Sequence, residues 1–197
     1  MVANPAGLPR PKSIIFLEMG DVVLMGSGDR CVRTLGVDDD FSGWEVKIRI
    51  EDEVLDTLIC SALSPDGEMI AFGYRGLPVT VWQVSSNTLV KRCDMTPLDG
   101  ALFHEGTEIS QLAWHPFSGE VFGVQCHQSL FKWDLYDDNA SVQVQTDVIY
   151  LAVSPNGLFV ATTHSGGTVR VFTVASLTLI YKLDSEMDGV NSISFST

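Results

Sequence analysis

One spacing constrains this chain more than anything in its composition. Four places carry a tight turn or its remnant: Leu17-Glu18-Met19-Gly20-Asp21, Ser64-Pro65-Asp66-Gly67, His115-Pro116-Phe117-Ser118-Gly119 and Ser154-Pro155-Asn156-Gly157. Pro presets φ near −65° and Gly after Asp or Asn accepts φ > 0, which is what a β-turn asks of its central positions. Each turn follows a short apolar run: Ile14 to Phe16, Ile59 to Leu63, Ile109 to Trp114, and Val148 to Val153. Each is followed by a β-branched and aromatic segment, clearest in Val79 to Val84, Leu130 to Leu135 and Val169 to Val174, with Val32 to Val37 as a weaker copy. With Leu17, Ser64, His115 and Ser154 as turn anchors and Leu35, Trp82, Trp133 and Phe172 as strand anchors, turn and strand are 18 residues apart in all four copies. Successive copies are 47, 51 and 39 residues apart, so every length change falls outside a rigid unit. Repeated supersecondary units vary in this way, with insertions confined to loops.

Within each unit the pattern predicts three short strands and a fourth of looser sequence. In the second copy they fall at 58–63, 68–73, 79–84 and 88–93, joined by Pro65-Asp66-Gly67, Arg75 to Pro78 and Ser85-Ser86-Asn87. Residues 51–59 have apolar spacing that would suit a helix, but the register assigns Leu58 and Ile59 to a strand and leaves 51–55 as a connection. Four short antiparallel strands every ~40–45 residues are the pattern of a propeller blade. The fold class expected is therefore all-β, a propeller of about four blades. They span 13–50, 58–94, 109–145 and 148–184, with one strand of a fifth at 190–197 and a flexible segment at 1–12.

These residues resemble the WD-repeat family of β-propellers. Trp133-Asp134 is a literal copy of the family dipeptide, and Val81-Trp82-Gln83 and Val171-Phe172-Thr173 are degenerate ones. Leu63-Ser64-Pro65-Asp66-Gly67 is similar to the family's turn after its innermost strand, and Gly26-Ser27-Gly28-Asp29 to its second turn. The resemblance runs from about Ser13 to the C-terminus. The family's Gly-His pair is missing: the corresponding places read Glu53-Val54, His104-Glu105, Gln143-Val144 and Ser185-Glu186. The turn Asp that would bond that His survives only as Asp29. The resemblance thus implies a divergent member whose blades rely on apolar packing. Its style is similar to the WD-repeat tails of fungal signalling proteins that carry a NACHT-type ATPase, although no GxxxxGKS/T phosphate loop occurs in this chain.

Charge and composition narrow the function. Lys and Arg number 12 against 25 Asp and Glu, a formal net charge of −13. Phosphate-binding proteins need a basic patch, and here the longest charge run is Asp38-Asp39-Asp40, so neither nucleic acid nor an anionic membrane is an expected partner. No apolar stretch approaches the about 18 residues of a membrane span, and Met1 to Lys12 lacks the apolar core of a secretory signal. Cys31, Cys60, Cys93 and Cys126 form no CxxC pair and sit in apolar segments. They read as reduced, buried thiols in an intracellular, cytoplasmic protein.

Catalysis and metals find little purchase. No GxSxG is present, no Cys is flanked by a base, and the Asp runs at 38–40 and 137–138 lie in loops without the calcium-binding spacing. No catalytic residue, metal or cofactor is expected. His127 and His164 occupy equivalent turns after the second strands, and an alternative reading makes the chain a propeller enzyme or a small-ligand or metal binder that uses them near a channel mouth. Zinc or iron would need a third ligand there. His115 reads as a turn residue.

Recognition remains. By register, Arg30, Arg75, His127 and His164 line the second turns on one face, and the loops 38–45 and 95–108, carrying Phe41, Trp44 and Phe103, are expected at that same face. Exposed aromatics and Arg are the residue types favoured at interaction hot spots. The expected function is a non-catalytic protein-interaction scaffold or sensor. Its partner would be a protein or peptide, with basic character given the net charge. WD-repeat propellers usually close with seven or eight blades, so the resemblance implies that further chain or a second copy completes the ring.

Overall fold

The Pro-Asp-Gly and Pro-Asn-Gly turns fold as their chemistry requires. In the computed structural model Gly67 and Gly157 have φ of 74° and 69°, and the amide of each donates to the carbonyl of Ser64 or Ser154 at 2.9 Å. Each serine hydroxyl then accepts the amide at the start of the next strand, from Met69 and Phe159, at 2.9 Å. The structure describes the backbone of residues 11–16, 22–26, 31–37, 44–51, 58–93, 108–125, 129–137, 140–144, 147–184, 189–190 and 192–196. Side chains are described from 58 onward, except those of 140–144.

The described residues form sixteen strands. They are β1 Pro11–Phe16, β2 Val22–Gly26, β3 Cys31–Val37, β4 Trp44–Glu51, β5 Leu58–Leu63, β6 Met69–Tyr74, β7 Thr80–Gln83, β8 Thr88–Arg92, β9 Ile109–Trp114, β10 Glu120–Gln125, β11 Ser129–Asp134, β12 Ala140–Val144, β13 Val148–Val153, β14 Phe159–His164, β15 Val169–Thr173 and β16 Leu179–Leu183. They form four antiparallel sheets of four strands, each a meander in chain order. The described residues contain no helix, and so none long and apolar enough to cross a membrane. In the second sheet the strand bounds fall within one or two residues of those the 18-residue register predicts.

The repetition reaches finer detail than the sequence pattern. The first strand of every sheet has a register shift across its second residue: Pro11/Ser13, Leu58/Cys60, Ile109/Gln111 and Val148/Tyr150. Such bulges add local twist. Successive sheets meet through their first strands, β1 against β5, β5 against β9, and β9 against β13. Apolar layers fill the gaps. Ala71, Val79, Val81 and Cys93 of the second sheet pack against Leu112, Trp114, Val121 and Trp133 of the third. Phe122, Val124 and Leu130 of the third pack with Leu151, Val160 and Phe172 of the fourth. The strand anchors Trp82, Trp133 and Phe172 are all buried. Leu35 pairs with Val22 and Val46 in the first sheet.

Polar ties cross the same gaps. The Trp114 indole donates to the Ala62 carbonyl at 2.8 Å, and the Leu151 amide donates to Gln111 Oε1 at 2.6 Å. Lys91 Nζ donates to the Leu135 carbonyl and Lys132 Nζ to the Val174 carbonyl, at 2.9 and 3.1 Å. Leu135 and Val174 hold the same repeat position, so one backbone site is capped from the preceding sheet twice.

Two expectations need correction. The sheets do not rely on apolar packing alone: in the second, Thr80 Oγ1 accepts from the Trp82 indole at 3.0 Å and lies 2.6 Å from the Tyr74 hydroxyl, all three residues being buried. Tyr74, Gln125 and His164 end the second strands of their sheets at one repeat position, and all are buried. Residues 190 and 192–196 form no strand. Their side chains alternate between exposed and half-buried in strand fashion, but a strand gains its ladder only from a hydrogen-bonded neighbour.

Candidate functional site

The turns that follow the first strands define one end of the sheets, and a groove of about 460 Å³ opens there on the seam between the second and third sheets. One wall is the turn Ser64-Pro65-Asp66 with Met69. The other is Trp114, the turn His115 to Gly119, and Tyr136 from the turn after β11. The sequence builds this wall by departing from its own repeat. Where the second and fourth sheets place Asp66 and Asn156 to cap the turn, the third has Phe117, and its ring is 76% exposed. Asp134 Oδ1 accepts the Tyr136 and Asp137 amides at 2.9 and 3.3 Å. This caps the turn that presents Tyr136, itself 74% exposed. Gly119 lets that ring lie flat on the backbone, since a Cβ there would land on it.

His115 shapes the groove floor. Its Nδ1 accepts the Phe117 amide at 3.1 Å, which leaves Nε2 carrying the hydrogen donated to the Gly157 carbonyl at 3.0 Å. The expected turn residue is thus also a tie from the third sheet to the fourth. Among the described residues Asp66 is the one carboxylate lining the groove. The Ser64 hydroxyl, 2.5 Å from Oδ1, and then the Glu68 amide hold its carboxyl below the usual carboxylate range.

The Ser64–Asp66 pair is turn chemistry rather than a nucleophile with its base. Ser154 and Asn156 make the same set of bonds with no charge at all. Asp66→Asn is therefore expected to fold with near-wild-type stability at pH 7. The sign of the acid effect follows from the lowered carboxyl. Asp66 contributes stability above its ordinary value of 3.8, and that contribution is lost as pH falls through its lower folded value. Urea unfolding between pH 5 and about 2 should show a shallower decline for the Asn variant, and parallel curves would refute this assignment.

Burial pushes the Cys60 thiol up to about 12, against the lowering effect of the Gly73 backbone. It stays protonated and donates to the Ile109 carbonyl at 3.2 Å. Neither Cys60 nor Cys93 is in a disulfide. No group of three or more His, Cys, Asp or Glu that could hold a metal occurs among the described residues.

Of the residues expected from sequence, Arg75, His164 and the backbone of Trp44 lie among the described residues, and these three do not share one place. Arg75 is exposed at the opposite end from the groove, and its guanidinium is paired with Glu108 at 3.1 Å across the second and third sheets. His164 is not a face residue. It is 3% exposed, and Nε2 lies 2.9 Å from Thr162 Oγ1; the turn begins only after it, so its ring belongs to the sheet interior. Trp44 is not in a loop but opens β4, opposite Val37. That pair sits at the other end of the first sheet from the Cys31–Glu51 pair. Val37 and Trp44, which bracket 38–43, are thus at the other end of the first sheet from Cys31, and the residues between them lie outside the described ones. Arg30, Phe41, Phe103 and His127 lie outside the described residues. Asp134 of the Trp-Asp dipeptide caps a turn, as above. Phe117 and Tyr136 were not anticipated, although Phe117 in the place of a turn-capping Asp or Asn was a visible departure.

No protein-family model and no curated protein matches this chain.

Proposed function

We propose that this chain is a non-catalytic protein-interaction module, part of a divergent WD-repeat-like β-propeller, that holds an extended basic peptide in the groove between its second and third sheets. The observation that carries the reading is the pair of solvent-exposed residues, Phe117 and Tyr136, flanking a groove whose one charged lining residue among those described is Asp66. Exposed aromatics beside a cleft are the residues that dominate binding energy at interfaces. Aromatic-lined grooves also suit extended, proline-containing segments, whose ordering cost is low. The net charge of −13 favours a basic partner and speeds its encounter.

The repeated four-strand sheets, their meeting through first strands and the 18-residue register support the propeller. The turn chemistry at Ser64 and Ser154 and the caps at Asp134 support the likeness to WD repeats. Rigid sheets presenting variable turns suit recognition rather than reaction, and a protonated, partly buried Cys60 offers no nucleophile.

The test is fluorescence anisotropy with two labelled peptides, one alternating Pro and Arg and one alternating Pro and Glu. Saturable binding of the basic peptide alone is expected. Phe117→Ala and Tyr136→Ala should each weaken it by about 2 kcal/mol, roughly thirtyfold in Kd. Arg75→Ala, at the opposite end, should leave it unchanged. Equal binding of both peptides, or indifference to both aromatic variants, would sink the proposal.

A further inference from the structure

We infer that His115 is the positioning residue of the groove and a pH switch built into it: a proton on its Nδ1 releases the turn that presents Phe117, and the groove lets its peptide go in mild acid. The release of a peptide rests on the reading given above, whereas the movement of Phe117 stands on the geometry of the protein alone.

The third turn is capped differently from its copies. Asp66 Oδ1 accepts the Glu68 amide at 3.0 Å, and Asn156 Oδ1 accepts the Leu158 amide at 3.1 Å. An amide oxygen accepts whatever the pH, and a carboxylate oxygen accepts for as long as it is ionised. Phe117 holds the place of Asp66 and Asn156 and has no oxygen to offer. A ring nitrogen caps this turn instead, with His115 Nδ1 accepting the Phe117 amide at 3.1 Å. A histidine nitrogen accepts while it is bare and becomes a donor once protonated.

The other nitrogen makes that change consequential. Nε2 donates to the Gly157 carbonyl at 3.0 Å, a bond that suits both charge states and is the stronger in the charged one. Protonation therefore keeps the ring tethered to the fourth sheet while Nδ1–H comes to point at the Phe117 N–H. Two donors face each other, and the ring cannot turn aside without giving up its tether. Phe117 yields more easily, since it is 76% exposed and meets the His115 ring edge-on, with centroids 6.1 Å apart. The new positive charge also lies beside a groove that takes a basic peptide, so both effects act in one direction.

Histidine is the side chain whose ordinary charge change falls between about pH 5 and pH 8, above that of carboxylic acids. The second sheet brings Asp66 and Glu68 to this end, and the low carboxyl of Asp66 stays ionised throughout that range. The third sheet brings Glu120, paired with Lys132 at 2.9 Å, and the turn carrying Asp134, Tyr136 and Asp137. The turn of the fourth sheet, Ser154 to Leu158, brings no titrating side chain. The bond that a proton breaks is thus the one from the Phe117 amide.

Proton–nitrogen correlation spectra of the full chain, taken between about pH 8 and pH 5.5, test the device without any peptide. The Phe117 amide should shift with the same midpoint as the His115 ring, while the Glu68 and Leu158 amides stay in place. Anisotropy with the labelled Pro-Arg peptide should show binding weakened about tenfold or more at the acid end; its arginines keep their charge throughout. In His115→Asn a side-chain oxygen takes over the cap and does not titrate, so the acid loss should disappear. A ring that does not titrate in this range, a Phe117 amide that ignores the titration, or acid loss undiminished in the Asn variant would overturn the inference. A Phe117 amide that follows His115 in a chain that binds no peptide at pH 8 would sink the peptide reading and leave the switch standing.

Discussion

Replacing Trp133 with Ala should cost about 3–5 kcal/mol of stability, the range for emptying a buried aromatic site. The indole is 1% exposed, opposite Val121 on β10, and belongs to the layer that joins the second and third sheets. That layer cannot collapse around the cavity easily, because the Trp114 indole and Lys91 fix the two sheets at their ends through bonds to backbone carbonyls. A chain with an ordinary net stability of about 5–15 kcal/mol would be left near its threshold. Urea unfolding followed by far-UV circular dichroism measures the effect, and a loss below about 1 kcal/mol would show that the layer is not close-packed.

Gly157→Ala is expected to cost about 2–4 kcal/mol, combining left-handed backbone strain with overpacking. Gly157 has φ of 69°, and a Cβ there would meet the His115 ring, whose Nε2–H bonds the carbonyl of this same glycine. Two neighbouring sheets are therefore disturbed by one methyl group. His115→Ser restores the residue found at the equivalent turns, Ser64 and Ser154, and removes the ring. The double variant should then be more stable than the sum of the single losses predicts, by about 1–2 kcal/mol. Strict additivity in the double-mutant cycle would show that the ring yields without cost.

Much of the architecture was legible because it is local. Ser64-Pro65-Asp66-Gly67 closes its own turn, the β-branched and aromatic run Val79 to Val84 marks a strand, and the repeat copies both. Strand bounds in the second sheet followed almost residue for residue. The groove was less legible, since Phe117 and Tyr136 are brought together only by the pairing of β10 with β11. His164 looked like a turn residue because a strand's last residue and a turn's first have the same neighbours in sequence. Which of them is buried depends on the adjacent sheet. Arg75 was visible as a charge at a turn, but its pairing with Glu108 bridges two repeats and has no signature in either. The segment 190–196 has a strand's alternation, and a ladder also requires a partner that no local pattern can supply.

The meander order within each sheet has a kinetic consequence. Every ladder joins strands adjacent in the chain, so each sheet can form by closing short hairpins before any contact between sheets exists. Loop closure of that kind is entropically cheap and fast compared with the distant pairings of most all-β proteins. Assembly then becomes a nearest-neighbour process, in which a formed sheet templates the ones on either side. The second and third sheets, each with a sheet on either side, have the most to gain from that process and should be the last to be given up when the chain unfolds.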